Sequence, residues 1–148
     1  MLNKVYLGLG SNLGNREKNI KTALKYLEDQ PEINLIKKSS FYETEPWGNT
    51  KQNKFINAAC LIETSLDPHD LLKKIKQIEY EYMGRQKTEK WGPRIIDIDI
   101  LLYEDKIIND AQLTIPHPHI NEREFVLAPL QEIQNENNNS YPKTKKTK

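Results

Sequence analysis

Two aspartates on a hydrophobic segment are the residues of this sequence whose types and spacing suggest chemistry most directly. Asp97 and Asp99 alternate with isoleucines within residues 95–102, and alternate residues of a β-strand share a face. Two carboxylates on one face of an otherwise apolar strand repel each other and are costly to desolvate. A divalent cation removes both costs, and Mg²⁺ binds through carboxylate oxygens. The pattern therefore indicates a metal site, against the alternative of a strand whose second face is solvated.

Arginine is rare in this chain, which has 18 lysines and only four arginines: Arg16, Arg85, Arg94 and Arg123. Arg94 precedes Asp97 by three residues, so its guanidinium group and the carboxylates would border the same space. An arginine that faces metal-bound anions is typical of phosphoryl transfer, because it offsets the charge on the transferred oxygens. The alternative is a plain ion pair between Arg94 and Asp97.

An aromatic ring and a side-chain amide share one face of another predicted strand. Phe55 and Asn57 are two residues apart, and together they offer a stacking surface with a donor and an acceptor, as a heterocycle requires. An ordinary core phenylalanine beside a strand-capping asparagine explains the pair equally well. Phe125 is a candidate for a second ring. His117 lies close to Arg123, which favours a phosphate contact over a two-histidine metal site.

The hydrophobic pattern predicts the elements that must position these residues. Period-two and period-3.6 segments alternate along the chain. We expect strands at 5–9, 33–43, 55–64 and 95–103, helices around 20–27 and 68–83, a small hairpin within 107–115 and a short helix at 125–133. The order of the main elements, βαββαβ, predicts a ferredoxin-like α+β fold with an antiparallel sheet and helices on one or both faces.

Length, charge and composition bound the function. The 148 residues suit one domain, for which we expect residues 1–133. The Asn/Lys-rich stretch 134–148 has low complexity and is expected to be disordered. The body carries a net charge near −2, which argues against a nucleic-acid partner. The sequence shows no span of about 20 apolar residues and no signal peptide. The single cysteine, Cys60, excludes an intrachain disulfide. We expect a cytoplasmic protein.

The segment around the two aspartates resembles the 6-hydroxymethyl-7,8-dihydropterin pyrophosphokinases of folate biosynthesis. The resemblance rests first on Lys90-Trp91-Gly92-Pro93-Arg94-Ile95-Ile96-Asp97-Ile98-Asp99-Ile100-Leu101, in which Lys90 replaces the family's first arginine. Further matches follow the family's order: Gly10-Ser11-Asn12-Leu13-Gly14, Ser40-Phe41-Tyr42-Glu43-Thr44, Phe55-Ile56-Asn57-Ala58, Pro116-His117-Pro118 and Asn121-Glu122-Arg123 with Phe125-Val126-Leu127. The resemblance covers about residues 3–133.

The resemblance implies the same ferredoxin-like fold and the transfer of the β,γ-diphosphate of ATP to the pterin's hydroxymethyl group, with release of AMP. It implies ATP as co-substrate, two Mg²⁺ ions on Asp97 and Asp99, catalysis by these aspartates with Arg94, and no covalent enzyme intermediate. The implied pterin contacts are Thr44, Pro46, Trp47, Phe55, Asn57, Trp91 and Phe125. The implied ATP contacts are Leu72, Glu79, Arg85, Lys87, Arg94, Ile100, Leu113, Thr114, His117 and Arg123. Which of Arg85, Lys87 and Lys90 meets phosphate stays open.

Two other functions deserve comparison. An RNA-binding module can use the same fold, but no strand shows its aromatic motif, and unpaired aspartates would repel phosphate. A relative that has lost catalysis would not need Asp97, Asp99 and Arg94 together. The polar, glycine-bounded segments 48–53 and 84–92 suit closing lids. We expect a stand-alone monomer.

Overall fold

The computed structural model describes residues 2–44, 54–86, 93–118, 120 and 124–134. In these segments the strands are β1 (Asn3–Ser11), β2 (Ile33–Lys38), β3 (Tyr42–Thr44), β4 (Phe55–Thr64), β5 (Asp97–Tyr103), β6 (Ile108–Asn109) and β7 (Thr114–Ile115). The helices are α1 (Arg16–Glu28), α2 (Pro68–Lys76), which continues as a π-helical segment (Gln77–Tyr82), and α3 (Glu124–Gln134). The predicted tail beyond α3 lies outside the described residues. None of the described helices is long and apolar enough to cross a membrane.

One antiparallel sheet organises the molecule, with the strand order β2-β4-β1-β5. β1 is central and pairs with β4 on one side and with β5 on the other. β3 pairs with the first residues of β4, beyond the end of β2. The short strands β6 and β7 form a separate hairpin. This arrangement confirms the predicted ferredoxin-like α+β fold.

The two faces of the sheet have different covers. α1 and α2 pack on the face that presents Leu7, Cys60 and Ile98, and their apolar residues complete the larger core. α3 covers the other face, where Leu130 packs with Leu101. The main core lies on the face of the sheet that α1 and α2 cover. The opposite face can therefore carry polar residues where α3 does not cover it.

The predicted strand 33–43 is in fact two strands, β2 and β3. Ser39 lies between them: its N–H donates to the carbonyl of Ala59 (2.8 Å), and its hydroxyl accepts from the Ala59 N–H (2.9 Å). A side-chain oxygen thus replaces a backbone acceptor, and the β2 strand ends while the chain stays beside β4. This exchange depends on the neighbouring strand, which is why the sequence alone suggested one strand.

A bulge in β5 corrects a second expectation. The register moves from Tyr6 opposite Leu102 to Leu7 opposite Ile100, which leaves Leu101 as an extra residue. Strict alternation would place Leu102 on the isoleucine face. Instead Leu102 packs with the α3 cluster, and Tyr103 returns to the main core. An extra residue in one strand reverses the alternation beyond it.

A half-buried carboxylate anchors α3 to β3. Glu132 accepts hydrogen bonds from the backbone N–H of Ser40 (3.1 Å), the hydroxyl of Ser40 (3.0 Å) and the hydroxyl of Tyr42. Tyr42 is fully buried, and burial followed by its bond to Glu132 raises the pKa of its hydroxyl. The helix on the α3 face is therefore held to the strand that extends beyond β2.

We predict that Glu132→Gln lowers the free energy of unfolding by about 1–3 kcal/mol, because the new amide nitrogen would face donors that need an acceptor. Urea unfolding would measure the change. Glu28 is exposed at the end of α1, so Glu28→Gln should change stability by less than about 0.5 kcal/mol. Equal unfolding midpoints for Glu132→Gln and the wild type would contradict the anchoring role.

Candidate active site

Two glycines of the central strand separate the candidate functional side chains. Gly10 pairs with Asn57 on one side and with Asp97 on the other, and Gly8 pairs with Ala59 and Asp99. Residues opposite each other in a sheet present their side chains on the same face. Asn57 and Asp97 therefore face the same side, about 10 Å apart across two strand spacings. We call Gly8 and Gly10 the glycine gap, because β1 itself places no side chain between the amide and the carboxylates.

The gap is needed on steric grounds. A Cβ atom on Gly10 would lie 2.9 Å from Oδ1 of Asn57, closer than such atoms approach in real structures. Asn57 is itself buried, with 8% of its surface exposed. Any side chain at position 10 would displace the amide that sequence analysis assigned to a heterocycle.

Asp97 lies between two arginines. Its carboxylate is 3.3 Å from Nη1 of Arg85 and 3.2 Å from Nη1 of Arg94. The backbone of Arg94 is fixed by Asn12, which accepts from the Arg94 N–H (2.7 Å) and donates its own N–H to the Arg94 carbonyl (3.0 Å). The ion pair that the sequence left as an alternative for Arg94 is thus present, and Asp97 forms a second ion pair with Arg85.

Glu79 is a fully buried carboxylate beneath this cluster. It accepts from the backbone N–H of Ile98 (2.7 Å), between the two aspartates, and lies 2.9 Å from Nη1 of Arg85. Burial raises its pKa, the charges of Lys76 and Arg85 oppose the shift, and that of Asp97 adds to it. Through these contacts Glu79 holds both Arg85 and the middle of β5. Its predicted contact with ATP stays a prediction.

The π-helical segment sets the position of Glu79. The N–H of Met83 donates to the carbonyl of Ile78 (2.9 Å), five residues earlier. Such a segment contains one residue more per turn than an α-helix, and it is frequent at functional sites. The next N–H to bind this turn is that of Arg85, which donates to the Glu79 carbonyl (2.8 Å). Both the backbone and the side chain of Glu79 thereby fix Arg85.

Asp99 is the less compensated of the two aspartates. Loss of water around it, and then the negative charges of Asp97 and Glu79, raise its pKa to about 8. Nε2 of His117 is 3.8 Å from its carboxylate, longer than a hydrogen bond. The side chain of Asp99 remains 45% exposed. The positive charges of Lys76 and Arg94 oppose the rise in its pKa without cancelling it. A carboxylate that is only partly exposed and lies near two other carboxylates is a suitable ligand for a cation.

The donor set fits magnesium better than a closed metal site. Within the described segments, no group of three or more His, Cys, Asp or Glu side chains could hold a metal ion together. Magnesium is commonly bound through one or two carboxylates, with waters and substrate phosphates as its other ligands. Asp97 and Asp99 supply that number of carboxylates on one face.

Both arginines keep a spare donor. Nε of Arg85 and Nε of Arg94 are buried and have no hydrogen-bond partner among the described residues. An unsatisfied buried donor is unfavourable by about 1–3 kcal/mol. An anion beside the cluster would supply the missing acceptors.

A groove of about 850 Å³ runs along α2 and the π-helical segment, and its lining includes Leu72, Lys76, Tyr80 and Gln112. Lys76 connects it to the charged cluster, since Nζ lies 3.4 Å from Oε1 of Glu79. Of the residues assigned to ATP, Leu72 lines this groove. Others lie elsewhere: Ile100 and Leu113 are buried in the main core, with 4% and 8% exposed, and Thr114 is exposed on β7.

The predicted pterin residues are only partly described. Phe55 and Asn57 lie on the same face of β4, the face that α3 covers, and Phe55 is partly buried. Thr44 ends β3 opposite Phe55, and Phe125 is the second residue of α3. Residues outside the described segments are Pro46, Trp47, Lys87, Lys90, Trp91 and Arg123, together with segment 48–53 and most of 84–92.

Sequence reasoning missed the role of the first glycine-rich segment. The G-x-G pattern of residues 8–12 predicts by itself only a tight turn that caps α1. The capping residue is Asn15, whose side chain accepts from the Lys18 N–H (3.2 Å). Gly10 belongs to the gap, and Asn12 fixes Arg94. The resemblance at residues 10–14 was a signal, but the cross-strand partners of these residues do not follow from their spacing.

Three comparisons relate the chain to known proteins. The profile of the 7,8-dihydro-6-hydroxymethylpterin-pyrophosphokinase family matches residues 6–135. The 2-amino-4-hydroxy-6-hydroxymethyldihydropteridine pyrophosphokinase of Methylorubrum extorquens is 45% identical over 132 residues, which are 89% of this chain and 83% of that protein. The enzyme of the same name from Bacillus subtilis is 47% identical over 133 residues, 90% of this chain and 79% of that one.

A comparison with solved structures agrees with the fold described above. The crystal structure of Plasmodium falciparum HPPK-DHPS with pteroate has a TM-score of 0.71 at 20% identity, and the match covers 97% of this chain and 41% of that chain. This chain therefore spans about two fifths of that solved chain, and at this identity the likeness shows the fold alone.

We predict that Asp99→Asn and Asp97→Asn change the stability of the metal-free protein in opposite directions. The pKa of Asp99 is raised from 3.8 to about 8, so the folded state holds the proton more tightly and its stability falls as pH rises through that window. Asp99→Asn should remove this loss and stabilise the protein at pH 8 more than at pH 5, by an amount that solvent screening reduces.

Asp97→Asn should instead destabilise the protein, because it removes the carboxylate between Arg85 and Arg94. Thermal unfolding in a chelator at pH 5 and pH 8 would measure both variants. Shifts of the same sign at pH 8 would contradict the charge balance described above.

Proposed function

The chain belongs to the 7,8-dihydro-6-hydroxymethylpterin-pyrophosphokinase family, and on this premise we propose how its residues perform the transfer. ATP donates its β,γ-diphosphate to the hydroxymethyl group of 6-hydroxymethyl-7,8-dihydropterin, giving AMP and the pterin diphosphate, a step of folate biosynthesis. The observation that carries the proposal is the row Asn57–Gly10–Asp97. An amide suited to a heterocycle and an anion-binding cluster share one face, with only glycines of β1 between them.

The pterin lies on the Asn57 side of the gap. The Asn57 amide offers a donor and an acceptor to the edge of the ring, and Phe55 offers a stacking surface. Phe125 supplies the second ring from α3, which packs on the same face. The hydroxymethyl group of the pterin then points across the glycine gap towards the charged cluster.

The phosphates lie on the Asp97 side. Arg85 and Arg94 exchange part of their contact with Asp97 for phosphate oxygens, and their buried Nε donors gain acceptors. His117 reaches the same space beside Asp99. These groups offset the charge that spreads over the oxygens during transfer, and Arg94 takes the catalytic role that the family resemblance implies.

The reaction needs positioning more than covalent chemistry. The pterin hydroxyl oxygen forms a bond to the β-phosphorus, the bond from that phosphorus to the oxygen shared with the α-phosphate breaks, and the hydroxyl proton passes to solvent. Holding the two substrates in line accounts for much of the rate. Cys60 takes no part, because it is buried in the main core and burial raises the pKa of its thiol to about 12.

Asp97 and Asp99 would hold two magnesium ions. When bound, these ions screen the phosphate charge and make the β-phosphorus more electrophilic. The role of the chain here is to present the two carboxylates together, with Glu79 holding the intervening Ile98 N–H.

A product assay tests the proposal. Protein, ATP, Mg²⁺ and 6-hydroxymethyl-7,8-dihydropterin should yield AMP and diphosphorylated pterin in equal amounts. Asp97→Ala and Asp99→Ala should each reduce turnover about a hundredfold or more, because the phosphate charge loses its main compensation. Asp105 is an exposed aspartate remote from the cluster in the turn after β5, and Asp105→Ala should retain wild-type turnover. ADP with a monophosphorylated pterin, or near wild-type turnover of either site variant, would refute the mechanism.

The glycine gap makes a second prediction. Gly10→Ala should raise the KM for the pterin about tenfold, because the new methyl group displaces the Asn57 amide and a lost hydrogen bond is worth about 1.4 kcal/mol. The KM for ATP should change little. Phe55→Ala should show the same selectivity, since it removes the stacking surface.

Gly8→Ala is the matched control for Gly10→Ala. Its Cβ would meet side-chain atoms of Leu101 at 3.3 Å rather than Asn57. Steady-state kinetics with each substrate varied in turn would measure the effects. Equal increases in both KM values for Gly10→Ala would contradict the assignment of the pterin to the Asn57 side.

A further inference from the structure

Arg16 makes contacts that the proposed mechanism does not use. It is the first residue of α1, and its guanidinium group leaves the helix towards two other segments. Nη2 is 2.9 Å from Oε2 of Glu43, and Nη1 donates to the backbone carbonyl of Lys54 at 2.7 Å. The side chains of Arg16 and Glu43 are each 28% exposed, so the ion pair is only partly screened by solvent. One side chain thus joins α1, β3 and the residue that precedes β4.

These contacts lie at the last pair of the β3–β4 ladder. Glu43 pairs with Ile56, and the next and final pair is Thr44 with Phe55. The carbonyl of Lys54 belongs to the same planar peptide unit as the N–H of Phe55. By binding that carbonyl, Arg16 fixes the plane of the peptide that enters Phe55. By binding Glu43, it fixes the opposite strand one residue before Thr44.

The geometry requires an arginine. The contact to Glu43 uses Nη2 and the contact to the Lys54 carbonyl uses Nη1. A guanidinium group holds these two nitrogens apart in one rigid plane, whereas the three N–H donors of an ammonium group share one nitrogen on a shorter side chain. Lysine occupies 18 positions of this chain and arginine only four. Arg85 and Arg94 belong to the charged cluster, whereas Arg16 contacts a carboxylate and a carbonyl that lie outside it.

We propose that Arg16 is a positioning residue for the pterin substrate, acting through Glu43 and Lys54. It holds the end of the β3–β4 ladder so that Phe55 and, two residues later, Asn57 keep the orientation that the ring needs. Arg16 does not touch the substrate. The pterin part of this inference rests on the proposed function; the clamp on the ladder does not.

The experiment compares Arg16→Met, which keeps the aliphatic part of the side chain, with Arg16→Lys and Glu43→Gln. Hydrogen exchange of the backbone amides reports the clamp without any substrate. Arg16→Met should increase exchange at Thr44 and Phe55 about fivefold to tenfold, as expected for losing a partly buried ion pair and a hydrogen bond. Exchange in the middle of the β1–β4 ladder should stay unchanged.

Kinetics report the substrate part. Arg16→Met should raise the KM for the pterin about threefold to tenfold while kcat and the KM for ATP stay near wild type. Arg16→Lys should restore only part of the pterin affinity, because one ammonium nitrogen cannot occupy the positions of both Nη1 and Nη2. Glu43→Gln, which keeps the Lys54 contact, should give an intermediate effect. Lys25→Met removes the exposed Lys25–Asp29 pair from the same helix, so it should change neither exchange at the ladder end nor either KM.

Each part of the proposal can be overturned by its own result. Unchanged exchange at Thr44 and Phe55 would overturn the clamp, as would an equal increase throughout the β1–β4 ladder in both Arg16→Met and Glu43→Gln. Increased local exchange with an unchanged pterin KM, or with equal rises in both KM values, would overturn the positioning role. Full rescue by lysine would refute the need for a bidentate group. If the wild type makes no AMP, the proposed function fails and the pterin role with it, while a local rise in exchange would still support the clamp.

Discussion

The buried carboxylate of Glu79 is the constraint on which the charged half of the site depends. It bonds to the N–H of Ile98 and pairs with Arg85, so one group fixes both the strand that carries the aspartates and a cation that faces them. Negative and positive groups then alternate through Asp97 to Arg94. A charged group that is removed from water needs an opposite charge or a hydrogen-bond partner. This requirement fixes the side chains of the cluster relative to one another: Glu79, Arg85, Asp97 and Arg94.

The two faces of the sheet have different roles, one in stability and the other in the candidate site. One face is closed by α1 and α2 and supplies the apolar burial that stabilises the fold. The other face is covered by α3, and at the glycine gap β1 adds no side chain of its own to it. Hydrogen bonds of Glu132 join α3 to β3, and Arg16 joins β3 to the first residue of α1. The polar face is thereby held at its edges, and the glycines keep Asn57 in place at its centre.

Features that depend on residues close together in the sequence were predicted better than features that depend on distant residues. Elements set by local periodicity and capping were predicted well: β4 matched residue for residue, and α2 begins after Asp67 as its capping pattern indicated. The split of residues 33–43 and the bulge at Leu101 were missed, because both depend on which backbone groups of the neighbouring strand find partners. In the site, the shared face of Asp97 and Asp99 followed from alternation, whereas the roles of Gly10 and Asn12 did not.

The sequence alone was sufficient for the family, the order of the elements and the chemical types of the site residues, since motifs and periodicity are properties of neighbouring positions. The tertiary structure was needed for what links distant positions. It places Gly10 between Asn57 and Asp97, gives Arg85 to both Glu79 and Asp97, and directs Arg16 to the ladder end. Hydrogen bonds and ion pairs act over a few ångströms, so their partners are decided only when strand register and helix packing bring remote residues together.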